Sequence, residues 1–225
     1  MNKQLKKFKF IVMDADGTIF DSVAMYTKVF VMIVSRFGVP EEIAKNYYKE
    51  TQGKPIKEQF SEVIRKNTTQ TIKSIDIDIL VDEFFESVET VPVKIFDDAR
   101  KLLNWCRTDR KICFMTSGSN TNILIDRLNK AGFSDVFSIV LGSDKVSKGI
   151  GHFKIFAESQ SISLNEFASM ACMIGDGSGD MIFGKKAGLF PIGIVRDKNQ
   201  VVVEKMEALG ARQIIHSLSE LMTLS

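Results

Sequence analysis

Five short runs along the chain are largely apolar, and each ends at a cluster of small or polar residues. They are Phe10–Met13 (FIVM), Lys111–Met115 (KICFM), Val136–Leu141 (VFSIVL), Ser169–Ile174 (SMACMI) and Pro191–Val195 (PIGIV). Each has the length of a strand and is bounded by Gly, Ser or Asp. Between them lie stretches with helical spacing, such as Asn120–Ala131 and Ile155–Gln160. A weaker strand is expected at Gln213–His216, with a short helix from Ser219. Strands that are apolar throughout, alternating with helices, predict an α/β fold: a doubly wound parallel sheet covered on both faces.

The pattern changes between Asp21 and Val91. Ala24–Phe37, Glu41–Glu50, Ile56–Lys66 and Ile79–Val88 all carry helical spacing, and no strand-like run interrupts them. About 70 residues of helix exceed an ordinary crossover between strands. The expected organisation is therefore an α/β core of residues 1–20 and 92–225 with an inserted all-helical cap of residues 21–91. Pro92 marks the return to the core, and Asp97–Thr108 reads as the helix before the second strand. The aromatics of the insert (Tyr26, Phe30, Phe37, Tyr47, Tyr48, Phe84, Phe85) recur at helical spacing and read as its packed interior.

Composition narrows the class. At 44% hydrophobic residues the chain can bury a sizeable core, and 30 Lys+Arg against 28 Asp+Glu leave a net charge of only +2. That charge recruits no nucleic acid, and no basic and aromatic signature for it is present. The basic start (Lys3, Lys6, Lys7, Lys9) reads as a solvated arm. No apolar run is long enough to span a membrane and no secretory leader is recognised. Cys106, Cys113 and Cys172 have no metal-ligand spacing and read as reduced, buried thiols of a cytoplasmic protein. With only His152 and His216 available as bases, a cysteine nucleophile is disfavoured. His152 reads as a packing or surface residue rather than a ligand. A monomer, or at most a weak homodimer, is the expected state.

The chemistry concentrates at the ends of the apolar runs. Phe8–Thr18 (FKFIVMDADGT) closes its strand with Asp14, Asp16, Gly17 and Thr18. Alternation along an extended chain points Asp14 and Asp16 the same way. Two adjacent carboxylates repel unless a cation relieves them, which suggests Mg²⁺, a hard ion that prefers oxygen. After the second run comes Thr116-Ser117-Gly118-Ser119. After the third comes Gly142-Ser143-Asp144, with Lys145 and Lys148 beyond it. After the fourth comes Gly175-Asp176-Gly177-Ser178-Gly179-Asp180. A parallel sheet gathers all of these at one edge. Carboxylates, hydroxyls, exposed amides and an ammonium group are the parts that phosphoryl transfer needs.

In this order, Asp14-Ala-Asp16-Gly-Thr18, Thr116, Lys148 and Gly175-Asp176-Gly-Ser-Gly-Asp180 resemble the four motifs of the haloacid dehalogenase superfamily. The insert resembles the type 1 cap of its phosphoglycolate phosphatase and β-phosphoglucomutase branch. The closing stretch Gly210–Leu221 resembles the end of that branch. The resemblance implies a Mg²⁺-dependent phosphatase acting on a small phosphorylated metabolite through an aspartyl phosphate. It implies Asp14 as nucleophile and Asp16 as general acid and then base, with the Asp16 carbonyl on the metal. Gly17 would let the loop turn beneath the phosphate, and Thr18 would brace it. Thr116 and the amide of Ser117 would hold phosphoryl oxygens, and Lys148 would neutralise charge. Asp176 would ligate the metal, and Asp180 would hold a metal-bound water or orient Lys148. The family usually has Lys-Pro where this chain has Lys148-Gly149, so Lys145 and Lys154 stand as rivals. Thr51-Gln52-Gly53-Lys54-Pro55 resembles the cap loop that reaches the substrate, which would make Gln52 and Lys54 substrate contacts; a plain interhelical turn fits the same residues.

Other readings share these parts. A sugar phosphomutase begins with the same aspartyl phosphate, but its cap arginine motif is not matched by Arg36 or Arg65. A phosphonate hydrolase needs a cap lysine, and Lys28, Lys45, Lys49 and Lys54 are not distinguished by spacing. A receiver-type phosphoacceptor lacks the long insert and the Asp16-Gly17-Thr18 sequence. A silent binding module on the same fold would have no use for the intact acidic set.

Overall fold

A computed structural model describes residues 3–51, 54–67, 76–89 and 91–222. The apolar runs form β1 (Phe10–Asp14), β2 (Ile112–Thr116), β3 (Phe137–Leu141), β4 (Ala171–Gly175), β5 (Phe190–Ile194) and β6 (Gln213–Ile215). All pair in parallel, in the order β3-β2-β1-β4-β5-β6. The chain steps outward from β1 to β2 and β3, then returns to the other side of β1 as β4. The switch point of the sheet therefore lies between β1 and β4, where an open α/β sheet leaves a crevice at its carboxyl edge.

Helices cover both faces. α6 (Asp97–Thr108) and α7 (Thr121–Ala131) bury Leu102, Leu103, Leu124 and Leu128 against Ile11, Met13, Cys113 and Cys172. On the opposite face, α8 (Ile150–Ser159) and α9 (Leu164–Ser169) bring Phe153, Phe156 and Phe167 onto Phe10, Val12 and Phe114. Period-two alternation along β1 and β2 produces this division. α10 (Ser178–Ala187) and α11 (Gln200–Leu209) complete the cover.

Between β1 and α6 run α2 (Val23–Ser35), α3 (Glu41–Glu50), α4 (Ile56–Asn67) and α5 (Ile77–Glu89). They bury a hydrophobic cluster of their own, centred on Phe30, Phe60 and Phe84. Phe30 stacks on Phe60 with ring centroids 5.1 Å apart, and Phe84 meets Phe60 edge-on at 6.0 Å. The aromatics at helical spacing are thus mostly packed inside the insert.

One difference from the expected layout has a simple cause. The basic start is not a solvated arm: α1 (Lys3–Lys6) buries Leu5 completely, and Lys7 lays its ammonium 4.4 Å from the centre of the Phe190 ring. Long cationic side chains can cover apolar surface while their charge stays wet. All three cysteines are free and buried. No helix among the described residues is long and apolar enough to cross a membrane.

Candidate active site

The first-motif loop turns immediately beyond β1. Gly17 has φ +82°, and its amide donates to the carbonyl of Phe20 at 2.8 Å. A Cβ at Gly17 would stand 2.0 Å from Asp176 Oδ2, so only glycine lets this loop pass the fourth motif. Thr18 is fully buried and donates to Asp176 Oδ1 at 3.3 Å. Arg196, beyond β5, holds the same loop from below. It donates to the carbonyls of Gly17 at 3.2 Å and Thr18 at 2.8 Å, pairs with Asp98 at 2.8 Å, and stacks 3.7 Å from the centre of the Phe96 ring.

Three carboxylates converge at the switch point. One oxygen each of Asp14, Asp176 and Asp180 lie within 4.8 Å of one another. Lys148 is their cation, 2.5 Å from Asp14 Oδ1 and 2.7 Å from Asp180 Oδ1. The rival Lys145 and Lys154 are exposed. Gly149 has φ +147° and starts α8, so the chain turns there without the proline that the resemblance leads one to expect. Asp180 also accepts from the amide of Gly177 at 3.1 Å, capping α10. A Cβ at Gly175 would collide with the Asp180 carboxylate at 2.3 Å, which explains the glycine there.

One ammonium does not neutralise three acids, two of them buried and Asp176 half-buried. Burial, opposed by Lys148 and reinforced by Asp180 and Asp176, holds the Asp14 carboxyl well above the usual carboxylate range. Burial and then Asp180 push Asp176 up to about 7. Such a surplus of oxygen donors fits a hard divalent cation. The Asp16 carboxylate stays outside this group.

Asp16 is engaged by four donors. Ser22 Oγ at 2.7 Å and Arg127 Nη1 at 3.3 Å reach Oδ1, while Ser119 Oγ at 2.7 Å and Ser117 Oγ at 3.1 Å reach Oδ2. Arg127, Ser119 and Tyr26 are contacts that the sequence reading did not single out. Arg127 lies on the core-facing stripe of α7 with Ile123, Leu124 and Leu128. A charged residue on an apolar stripe was the available signal.

Thr116 shares the face of Asp14 but turns its hydroxyl to a neighbour. The resemblance implies that its hydroxyl holds a phosphoryl oxygen, but the hydroxyl lies 2.7 Å from His152 Nδ1 and Thr116 is buried. Thr116 pairs with Asp14 in the sheet, so both side chains leave on the face that α8 covers, and there His152 takes up the Thr116 hydroxyl. His152 is a packing residue, its other nitrogen 2.7 Å from the carbonyl of Val146. Ser117, the next residue, lines the cavity beside Gly118 and Ser119.

The cavity above these groups measures about 70 Å³ and is closed on its far side by the insert. Lys54 borders it, and a Cβ on Gly118 would lie 4.0 Å from the Lys54 carbonyl, so Lys54 stands over the core. The Lys54 ammonium turns to Glu62, at 3.3 Å. Gln52 lies outside the described residues.

No curated protein matches the chain in sequence. Solved structures match over nearly the whole length. A predicted phosphatase from Clostridium acetobutylicum superposes with a TM-score of 0.76 at 21% identity, covering 95% of this chain and 96% of the other. A predicted phosphoglycolate phosphatase from Haemophilus somnus gives 0.74 at 12% identity, with 96% and 97% covered. A Bacteroides vulgatus protein named as a candidate β-phosphoglucomutase gives 0.71 at 20% identity, with 94% and 85% covered. At these identities the likeness concerns the fold. The family model of haloacid dehalogenase-like hydrolases matches residues 11–195, which takes in the first strand, the helical insert, Lys148 and the acidic run after β4. The chain belongs to the haloacid dehalogenase-like hydrolase family.

Proposed function

We propose that the protein is a Mg²⁺-dependent phosphatase that hydrolyses a small phosphomonoester through an aspartyl phosphate on Asp14. The observation that carries this reading is the buried pairing of Asp14 with Lys148 at 2.5 Å, beside Asp176 and Asp180 in a cavity that the insert borders.

Lys148 engages one oxygen of Asp14, leaving the other for attack on phosphorus. The phosphorus–ester oxygen bond breaks as the Asp14 oxygen–phosphorus bond forms. Asp16, at the edge of the same cavity, gives its proton to the departing alcohol oxygen, then takes a proton from the water that cleaves the aspartyl phosphate. The Ser117 amide is taken by the Leu141 carbonyl at 3.0 Å and the Ser119 amide by Ser117 Oγ at 3.0 Å, so in this loop the Gly118 amide would meet the phosphoryl oxygens. Asp14, Asp176 and the Asp16 carbonyl would hold Mg²⁺, with Asp180 fixing Lys148. The ion supplies charge neutralisation for the phosphoryl group. Thr18, Gly17 and Arg196 keep the first-motif loop in register. The insert acts as a cap that excludes bulk water during the first transfer.

A phosphomutase needs a cation in the cap for a second phosphate. Arg36 is 2.6 Å from Glu83, and Arg65 is exposed. Hydrolysis is therefore the better-supported reading. The partner is a small phosphorylated metabolite, and the protein works as a monomer or weak homodimer.

The test is Mg²⁺-dependent phosphate release from a panel of phosphomonoesters, with Asp14→Asn and EDTA controls. Release that both controls abolish is the expected result. No release from any ester, together with a lasting phosphate on Asp14 after acetyl phosphate treatment, would overturn hydrolysis in favour of a phosphoacceptor.

A further inference from the structure

The insert's wall of the cavity has a chemistry distinct from the acidic floor. It presents Val23, Ile56, Phe84, Phe85, Tyr48 and Gln59. None of these carries charge. The Lys54 ammonium sits 3.3 Å and 3.4 Å from the two oxygens of Glu62. Gln59 is held in place by its neighbours: its amide donates to the Lys54 carbonyl at 2.9 Å, and its oxygen accepts from the Thr51 hydroxyl at 3.0 Å. A substrate with a second anionic group would press that group against aromatic rings, with four carboxylates on the opposite side.

Tyr48 stands apart on this wall. It is only 7% exposed, its ring packs 4.9 Å from that of Phe30, and it borders the cavity. Among the described residues its hydroxyl makes no hydrogen bond. Burial, and after it Tyr26, Asp16 and Asp176, lift its phenol well above the usual range, so the group keeps its proton and lies within the field of the core acids. The hydroxyl oxygen opens onto the cavity rather than being sealed in the core, so it is a free donor on this wall for a bound molecule.

We propose that Tyr48 is a substrate-binding residue and that this wall selects phosphomonoesters of uncharged, partly apolar alcohols bearing an oxygen within reach of the Tyr48 hydroxyl. The proposal rests on the phosphatase reading. It excludes phosphoglycolate and sugar bisphosphates as preferred substrates, because among the described residues the wall's one cation, Lys54, is already paired with Glu62. It assigns the cavity's polar specificity to α3 rather than to Lys54.

The experiment compares kcat/KM on the full chain with Mg²⁺ for glycerol phosphate and phenyl phosphate against phosphoglycolate and fructose bisphosphate. The uncharged alcohols are expected to lead by about tenfold or more, since an unpaired buried charge is poorly tolerated. Parity, or a lead for either doubly anionic ester, overturns the proposal. Tyr48→Phe removes one oxygen and keeps the ring. It is expected to lower kcat/KM about tenfold on glycerol phosphate, with little change on phenyl phosphate, whose alcohol part offers no second oxygen. Inhibition by inorganic phosphate should be unchanged. Equal losses on both esters, or weaker phosphate inhibition, would place the hydroxyl on the phosphoryl group and overturn the assignment. If no ester is hydrolysed, the phosphatase reading fails by itself, and titration calorimetry decides the rest. Glycerol phosphate binding that weakens in Tyr48→Phe while phosphate binding holds supports the wall assignment; identical binding in both proteins overturns it.

Discussion

Arg127 Nη1 lies 3.3 Å from Asp16 Oδ1 and donates at 2.6 Å to the Tyr26 hydroxyl, so a single buried guanidinium ties the first-motif loop to the helical insert. Its Nη2 reaches the carbonyl of Val88 at 3.3 Å, at the far end of the insert. Tyr26 and Ser119 are 3.2 Å apart, and Ser119 donates to Asp16, which closes a ring of four polar groups. Arg127→Met leaves the apolar stripe of α7 intact and removes only the fork. Breaking a buried pair in this way is expected to destabilise the fold by about 3 kcal/mol in urea titrations. The turnover number should fall about 10- to 100-fold with a much smaller change in KM, because Asp16 loses its positioning but the phosphoryl site does not. Arg127→Lys restores the charge without the fork and should recover stability better than rate. An unchanged kcat in Arg127→Met would show that Asp16 is held well enough by its three serines.

Gly17 is the tightest passage in the site. With φ +82° and a notional Cβ 2.0 Å from Asp176 Oδ2, alanine here is strained in its backbone and displaces a carboxylate. Gly17→Ala is expected to cost about 1–3 kcal/mol of stability and to lower phosphate release by about 100-fold or more. Thermal melts and steady-state rates on the same preparation check both. Alanine tolerated in both assays would mean that the first-motif loop moves freely past Asp176.

The sheet was legible because its strands are apolar throughout and end in polar clusters; only the strand ends moved, by a residue or two. Helices α3 and α6 match the expected Glu41–Glu50 and Asp97–Thr108. By contrast, α10 begins inside the Gly175–Asp180 run and contains Gly184, so its sequence resembles a turn. The structure supplies the reason, since a Cβ at Gly184 would lie 3.3 Å from the side chain of Met173 and 3.4 Å from Pro191. Motif spacing placed Asp14, Asp176 and Lys148 together, since sheet order alone brings strand ends to one edge. It could not find Arg127 or Tyr48. Their roles depend on how the insert seats on the core, a long-range relationship that periodicity does not encode. Thr116 and Ser117 are adjacent in the chain, and the alternation at the end of β2 sends Thr116 to the Asp14 face and Ser117 to Asp16.

The acid cluster makes stability depend on pH in a direction opposite to the common carboxylate case. The folded-state values of Asp14 and Asp176 are raised, that of Asp176 to about 7. Between the unfolded value and these values the folded chain binds more protons than the unfolded one, so stability falls as pH rises. Urea midpoints measured in EDTA should therefore drop from pH 5 to pH 8. Mg²⁺ should raise the midpoint more at pH 8 than at pH 5, because only the ionised acids bind it. A midpoint in EDTA that rises over this interval would mean that Lys148 alone neutralises the cluster.

The pairing of Thr116 with His152 separates a packing role from a chemical one. His152 is buried, and burial lowers its affinity for a proton, so a neutral ring bridges Thr116 and the Val146 carbonyl. Thr116→Val keeps the shape of the side chain and leaves a ring nitrogen without a partner. The expected result is a loss of about 1–3 kcal/mol in urea titrations. The turnover number should stay within about threefold of the parent, because no contact with the phosphoryl group is lost. Ser117→Ala should do the reverse, lowering turnover more than stability, since Ser117 donates to Asp16 at 3.1 Å and borders the cavity. A Thr116→Val protein of normal stability with a tenfold slower rate would return Thr116 to the phosphoryl group, where the family resemblance first placed it.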